Sequence, residues 1–419
     1  MVKSVALLSA VNPYPTDAGK KIVLAGFLEY FAARMGERNV HYVMVGEHGH
    51  DEFPAELHTI SKPTTLKALT SVLVRTGTGR TSLQEALLYT PGLRAEVGRL
   101  IEQLGADLEV YDTIRMAQHA PARCTTQVCY LDDLFSERYR VMLAAAEKYS
   151  DMQIQPLGNF ATHVPARVRS LAEHPRNQRA LLRVEKALAY SSEIRVVNGF
   201  DAALLLNDRE AQLLRDRCAV EADRVRVIPP LIGPRAPTRR DYTGTPEFIF
   251  LGLLSLPHND DGLKSFLTHV WPLVLATQPN ARLRVVGRQA RSGLTALVAR
   301  YTESVKLEGF VPDLSELFSR AAAMIVPLRF GSGIKLKIIE AIGGGVPVIS
   351  TSIGAEGVAT GADRGVLVAD DHAELADLLL EATGVSRNRD LSMAALEHFK
   401  RCYSRPVVFA RYDSAFGLA

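Results

Sequence analysis

The chain has 419 residues, of which 47% are hydrophobic, 23% charged and 7% aromatic, with 30 Gly and 21 Pro. This is more chain than one core usually fills, so two domains are expected, and the composition excludes disorder, collagen and coiled coil. With 49 Lys plus Arg against 46 Asp plus Glu, the formal charge of +3 is too small over this length to imply a nucleic-acid partner.

The opening MVKSVALLSAVNPYP holds a short apolar run, Val5 to Ala10, that ends at Asn12-Pro13 without a small-residue cleavage site. It reads as a first β-strand rather than a signal peptide. A Pro, Asp and Gly loop and an amphipathic segment, Ile22 to Arg34, follow; strand, glycine turn and helix open a Rossmann-like unit. Apolar runs at Val40–Val45, Leu108–Tyr111, Gln127–Leu131 and Ala202–Leu206 alternate with helical stretches at Thr65–Val74, Leu93–Leu104 and Phe135–Tyr149, which predicts a parallel sheet. Between His163 and Lys186, Arg167, Arg169, Arg176, Arg179 and Arg183 face only Glu173 and Glu185, a basic helical stretch.

Periodicity stops over Ile228–Pro246, IPPLIGPRAPTRRDYTGTP, the best linker in the chain. Alternation then restarts with FIFLGLL, an amphipathic segment from Asp261 to Ala276, RLRVVG, VKLEGF, AAAMIVPL, a helix from Lys335 to Ile342 and VPVIS. His372 to Phe416 reads as successive helices broken at Arg405-Pro406. The expected organisation is a first Rossmann-like domain over 1–230, a second over 247–404, and a helix over 405–419 that returns to the first. The cysteines Cys124, Cys129, Cys218 and Cys402 are scattered and read as reduced thiols of a cytoplasmic protein. No apolar stretch reaches the ~20 residues of a membrane span.

Ile325–Gly357, IVPLRFGSGIKLKIIEAIGGGVPVISTSIGAEG, carries the chemistry. A buried strand ends near Pro327, and Gly331, Ser332 and Gly333 lead into a helix starting near Ile334. Small residues at a helix amino terminus let backbone amides close on an anion, and the helix dipole adds positive charge. Lys335 and Lys337 sit in that first turn, where cations are unfavourable unless an anion is present, so the conflict points to phosphate; the bland reading is a loop with solvated lysines. Glu340 follows on the same helix. It suits the two hydroxyls of a ribose, or a surface pair with Lys337 worth ~0.2 to 0.5 kcal/mol.

The run P-L-R-F-G-S-G-I-K-L-K-I-I-E-A, followed by V-P-V-I-S-T, Gly354 and Gly357, resembles the donor-site signature of glycosyltransferase family 4, the group 1 glycosyltransferases of GT-B fold. The resemblance runs upstream in order through FIFLGLL, Asn259, WPLV, RLRVVG and VKLEGFVPDLSELF. It implies an α/β protein of two Rossmann-like domains facing across a cleft, an N-terminal acceptor half and a C-terminal nucleotide-sugar half. The implied reaction is retaining transfer of a sugar from a nucleotide diphosphate sugar, a UDP-sugar being favoured, to an acceptor hydroxyl, with no cofactor and no metal. The amides of Gly331, Ser332, Gly333 and Ile334, with Lys335 and Arg288, would hold the diphosphate; Phe310, Val311 and Leu314 the base; Glu340 the ribose. NPYPTDAGKK matches the family's opening glycine turn, with Gly19 and Lys20 at the matching positions, and Asp17 or Asp132 would assist as base.

This sequence differs from many members in three places. Ser332 stands where a first glutamate of a pair is common, Asp132 and Asp133 where a histidine is common, and the loop after FIFLGLL offers His258 and Asn259 where an Arg and a Lys are common. The adjacent Asp132-Asp133 pair suits a divalent cation or a helix cap. The acceptor is open among a polysaccharide, a lipid-linked saccharide and a natural product, the basic stretch adding peripheral contact with the inner membrane face as an option. The alternatives are a non-catalytic nucleotide-sugar-binding subunit and a GT-B epimerase or phosphorylase.

Overall fold

A computed structural model describes residues 2–46, 53–122, 125–148, 175–232 and 240–418. Two units form, each around its own parallel sheet, and from Val408 onward the chain belongs to the first unit again. Arg167 and Arg169 of the basic stretch, with Cys124 and His163, lie outside the described residues.

The first sheet has seven strands: β1 (Val5–Ser9), β2 (Val40–Val45), β3 (Glu56–Ile60), β4 (Leu108–Asp112), β5 (Thr126–Asp132), β6 (Ala202–Leu205) and β7 (Val225–Val227). Their order is β3-β2-β1-β4-β5-β6-β7, every pairing parallel. The second sheet has six: β8 (Glu247–Leu251), β9 (Arg282–Val286), β10 (Val305–Gly309), β11 (Ala323–Val326), β12 (Val348–Ser350) and β13 (Val366–Val368), ordered β10-β9-β8-β11-β12-β13, also parallel. Central strands such as β1, β4 and β11 are buried at every position, as helices on both faces of a parallel sheet require.

The second core gathers Phe248, Phe250, Phe266, Leu283 and Trp271, whose indole N–H donates to the Ser304 hydroxyl at 3.1 Å and so leaves no polar atom stranded in the apolar layer. The expected amphipathic segment from Asp261 is two helices, Pro257–His269 and Trp271–Thr277, each with Pro in its first turn. Proline fits there because that N–H has no intrahelical partner to lose.

The last helix, Arg405–Phe416, packs Phe409, Tyr412 and Phe416 against Phe27, Tyr30 and Phe31 of the helix Gly19–Met35. Asp413 locks this contact: it accepts from the Tyr30 hydroxyl at 2.8 Å and from both Arg34 donors at 2.7 and 2.5 Å. The Tyr412 hydroxyl also accepts from the Leu231 amide at 3.2 Å.

Candidate active site

In the second unit the strand order reverses between β8 and β11, and an open parallel sheet offers a ligand crevice at such a point. The loops leaving the strands there are crowded. A Cβ on Gly287 would lie 1.9 Å from the Gly252 carbonyl oxygen, so only glycine lets the β8 and β9 loops meet. Gly331 (φ +131) and Gly333 (φ +71) take backbone conformations that side chains disfavour, and they shape the loop between β11 and the helix Leu336–Gly343.

Lys335 is the amino-terminal cap of that helix, one residue outside it; the expected start near Ile334 falls two residues early. The residue is 9% exposed, and its ammonium donates back to the carbonyls of Ser332, at 3.1 Å, and Gly333. Lys337 turns the other way. Its Nζ donates to the Asn259 side-chain oxygen at 3.0 Å and lies 4.7 Å from the centre of the Phe250 ring. Burial, and then the charge of Lys335, pull the Lys337 pKa down to about 7. The alternative pairing of Lys337 with Glu340 is therefore not the one formed.

Asn259 is 3% exposed and donates to the Leu253 carbonyl at 2.9 Å, so the β8 loop, the helix Pro257–His269 and Lys337 form one linked set. Asp261 grips Arg329 at 2.8 and 2.5 Å and ties the same helix to the segment after β11. The place where few cations were expected thus receives one from Lys337. The only signal for it in the sequence was a lysine in a helix's first turn.

Arg288 and Phe310 come together, the guanidinium 4.1 Å from the ring centre, with Phe310 56% exposed. Val311 is partly buried and packs on the core. Leu314 is 2% exposed and belongs to that core, so its side chain is committed to packing, and Phe310 is the exposed one of the three. Glu340 and Ser332 are half-buried on and before the glycine-loop helix.

The first unit repeats the arrangement at its own reversal, between β1 and β4. Ser9 donates to Asp112 at 2.6 Å across it. Lys20, in the first turn after Gly19, stands 2.5 Å from Asp112 and 3.4 Å from Asp132, with the Tyr130 ring 4.2 Å away. These carboxylates offset the cost of a cation at a helix amino terminus. Asp132, at φ +73, has its other oxygen bonded by the Tyr130 hydroxyl at 2.6 Å. Asp17 is exposed and pairs with Lys21 at 2.8 Å. Asp133 is held by Arg138 at 2.9 and 2.5 Å, so the adjacent carboxylates serve different cations. His119 is buried against the Leu88 carbonyl at 2.9 Å.

Residues 245–383 match the family Glycosyl transferases group 1. Among curated proteins the chain is 26% identical over 170 residues to an uncharacterized 44.6 kDa protein in the cps region of Klebsiella pneumoniae; that stretch is 39% of this chain and 44% of the relative. Less than half the length of that relative is therefore spanned. Among solved structures, sucrose-phosphate synthase from Thermosynechococcus elongatus superimposes with TM-score 0.66 at 15% identity, covering 100% of both chains. HepE from Anabaena, in complex with UDP, gives 0.64 at 13% over 100% of both. WaaG, a glycosyltransferase involved in lipopolysaccharide biosynthesis, gives 0.60 at 16% over 98% of both. At such identities the likeness is one of fold: two Rossmann-like domains of the GT-B type.

Proposed function

We propose that this chain, whose second unit carries a group 1 glycosyltransferase domain, moves a sugar from a nucleotide diphosphate sugar to an acceptor hydroxyl with the anomeric configuration retained. One observation carries the reading. At the β8–β11 reversal the glycine loop, the Lys335 that caps the next helix and a Lys337 with a depressed pKa in that helix's first turn share one short segment, a concentration of cations and free amides that is costly when empty and favourable beside a diphosphate.

As the bond from sugar to phosphate lengthens, negative charge grows on the diphosphate, and fixed cations and amides there lower the barrier. Lys335, Lys337, the Gly331–Ile334 amides and Arg288 would supply that field. Phe310 would stack on the base and Glu340 would accept the ribose hydroxyls. In a one-step transfer on the face of the leaving group, the acceptor oxygen bonds to the anomeric carbon as the bond to the diphosphate breaks, and the departing phosphate oxygen would take the hydroxyl proton. Asp132, with its oxygens occupied by Lys20 and Tyr130, positions Lys20 rather than acting as the base. HepE holds UDP and supports uridine as the base; WaaG supports a saccharide acceptor and a place in polysaccharide biosynthesis. Free thiols at Cys129, Cys218 and Cys402 fit the cytoplasm. Among the described residues no helix is long and apolar enough to cross a membrane.

A thermal-shift panel of nucleotide sugars tests the donor, since a ligand at ~100 times its Kd adds about 2.7 kcal/mol of apparent stability. NMR of the product anomer tests retention. Binding without donor hydrolysis or transfer would make the chain a non-catalytic binding subunit.

A further inference from the structure

The first unit holds a cavity of about 220 Å³ that the reaction above does not use. At about 30 Å³ per water it has room for roughly seven waters, the scale of one sugar ring or charged headgroup. Its walls include Arg75, Thr81, Glu85, Arg94, Gln118 and Arg195. The short helix Thr113–Ala117 starts directly after Asp112, which pairs with Lys20, and contributes Ile114 and Ala117 to the cavity, so its wall begins two residues beyond that pair in the chain.

The charges in this cavity do not balance. Arg75, Arg94 and Arg195 line it against the single carboxylate of Glu85. Glu85 is already committed: it accepts from the Ser82 amide at 3.0 Å, the Ser82 hydroxyl at 2.8 Å, the Ser192 hydroxyl at 2.5 Å and Arg195 at 3.3 Å. Arg94 lies in the first turn of the helix Pro91–Leu104, where the dipole disfavours a cation, and no carboxylate among the described residues pairs with it. Arg75 lies flat on Tyr89, 3.5 Å from the ring centre, and its buried Nη1 has no partner. The Thr81 hydroxyl is also buried and unbonded, in a residue 5% exposed. Buried donors without acceptors are costly, and like charges brought together are costly again, so both point to a missing anion. Burial first, and further Arg195 and Arg94, lower the Arg75 pKa even against the opposing pull of Tyr89 and Glu85, as expected where cations outnumber the carboxylate beside them.

We propose that this cavity is an oxyanion site that receives a carboxylate or phosphate carried by the acceptor, which makes the acceptor an acidic saccharide. The acceptor role rests on the glycosyltransferase reading; the anion site itself does not. Arg75 Nη1 and the Thr81 hydroxyl would donate from the floor, and Arg94 and Arg195 would close over the anion from the solvent side.

The test is calorimetric titration of the full chain with glucuronate, glucose 6-phosphate and glucose, with UDP present to fill the donor site. The two charged sugars should bind and glucose should not. The stronger of the two charged sugars identifies the group. Arg94→Gln removes an exposed side chain and spares the fold, and Thr81→Val keeps the shape; each should weaken the charged ligand by about tenfold, the scale of a lost charge-assisted hydrogen bond, with UDP affinity unchanged. Equal binding of glucose, or wild-type affinity in both variants, would overturn the site. If the chain fails to bind UDP while Arg94→Gln still weakens anion binding about tenfold, the cavity assignment is supported and the donor reading falls. Preferred transfer to neutral over acidic oligosaccharides would overturn the acceptor assignment.

Discussion

The Lys337 ammonium donates to the Asn259 side-chain oxygen at 3.0 Å, so a neutral amide rather than a carboxylate is its partner. A cation so placed pays for burial without an ion pair to offset it, and its pKa falls to about 7. The unfolded chain therefore binds the lysine proton up to a higher pH than the folded one. The folded state bears the full penalty below about pH 7, and relief grows as pH rises from there toward the ordinary lysine value. Lys337→Met should stabilise the empty protein most below pH 7 and progressively less above it, as urea titrations across pH will show. A diphosphate should reverse the balance by raising the Lys337 pKa. UDP binding at pH 8 should take up a proton, seen as buffer-dependent heat in calorimetry and absent in Lys337→Met.

Glu340→Gln keeps the shape of the glycine-loop helix and removes only charge. The donor nucleotide should bind more weakly by roughly 1 to 3 kcal/mol, the scale of a lost charge-assisted hydrogen bond. Calorimetry with UDP decides the matter, and unchanged affinity would remove Glu340 from the ribose.

Lys335→Ala should lower kcat more than it raises KM, because its charge acts on a diphosphate that grows more negative in the transition state. A rise in KM with kcat intact would make Lys335 a uniform binding contact. Its bonds to the Ser332 and Gly333 carbonyls mean that the loop should also loosen. Faster amide exchange over 331–335 would register that effect separately from the kinetics.

Asp112→Asn tests the reversal in the first unit. It leaves Lys20 with only the more distant Asp132 and weakens the bond from Ser9, so the expected loss of stability is about 1 to 3 kcal/mol. The loss should stay below that of a fully buried pair, since Lys20 keeps 20% exposure. Chemical denaturation would measure it.

The strands easiest to read in the sequence are those that are wholly or almost wholly buried. Val5–Ser9, Val40–Val45 and Leu108–Asp112 read as apolar runs because helices cover both faces. The strands that escaped notice are β3, β7 and β13, all at sheet edges, where ELHTI, VRV and VLV are too polar or too short for a period to show. The glycine loop before the helix Leu336–Gly343 was legible through a local conflict, lysines at a helix amino terminus. The contact of Lys337 with Asn259 was not, since it joins residues 78 positions apart and depends on how two loops cross. The arginines of the first-unit cavity were invisible for the same reason: Arg75, Arg94 and Arg195 come from separate helices and share no motif.

The return of the chain to the first unit at Val408 sets an order on synthesis. A ribosome that has finished β7 has made the whole first sheet, yet the aromatic face of Phe27, Tyr30 and Phe31 still lacks Phe409, Tyr412 and Phe416. The second sheet needs nothing beyond its own unit, while the first unit's aromatic face waits for the final dozen or so residues. A premature stop just before Arg405 would therefore spare the whole second sheet and still leave the first unit with an open apolar face, a nascent chain for chaperones to hold.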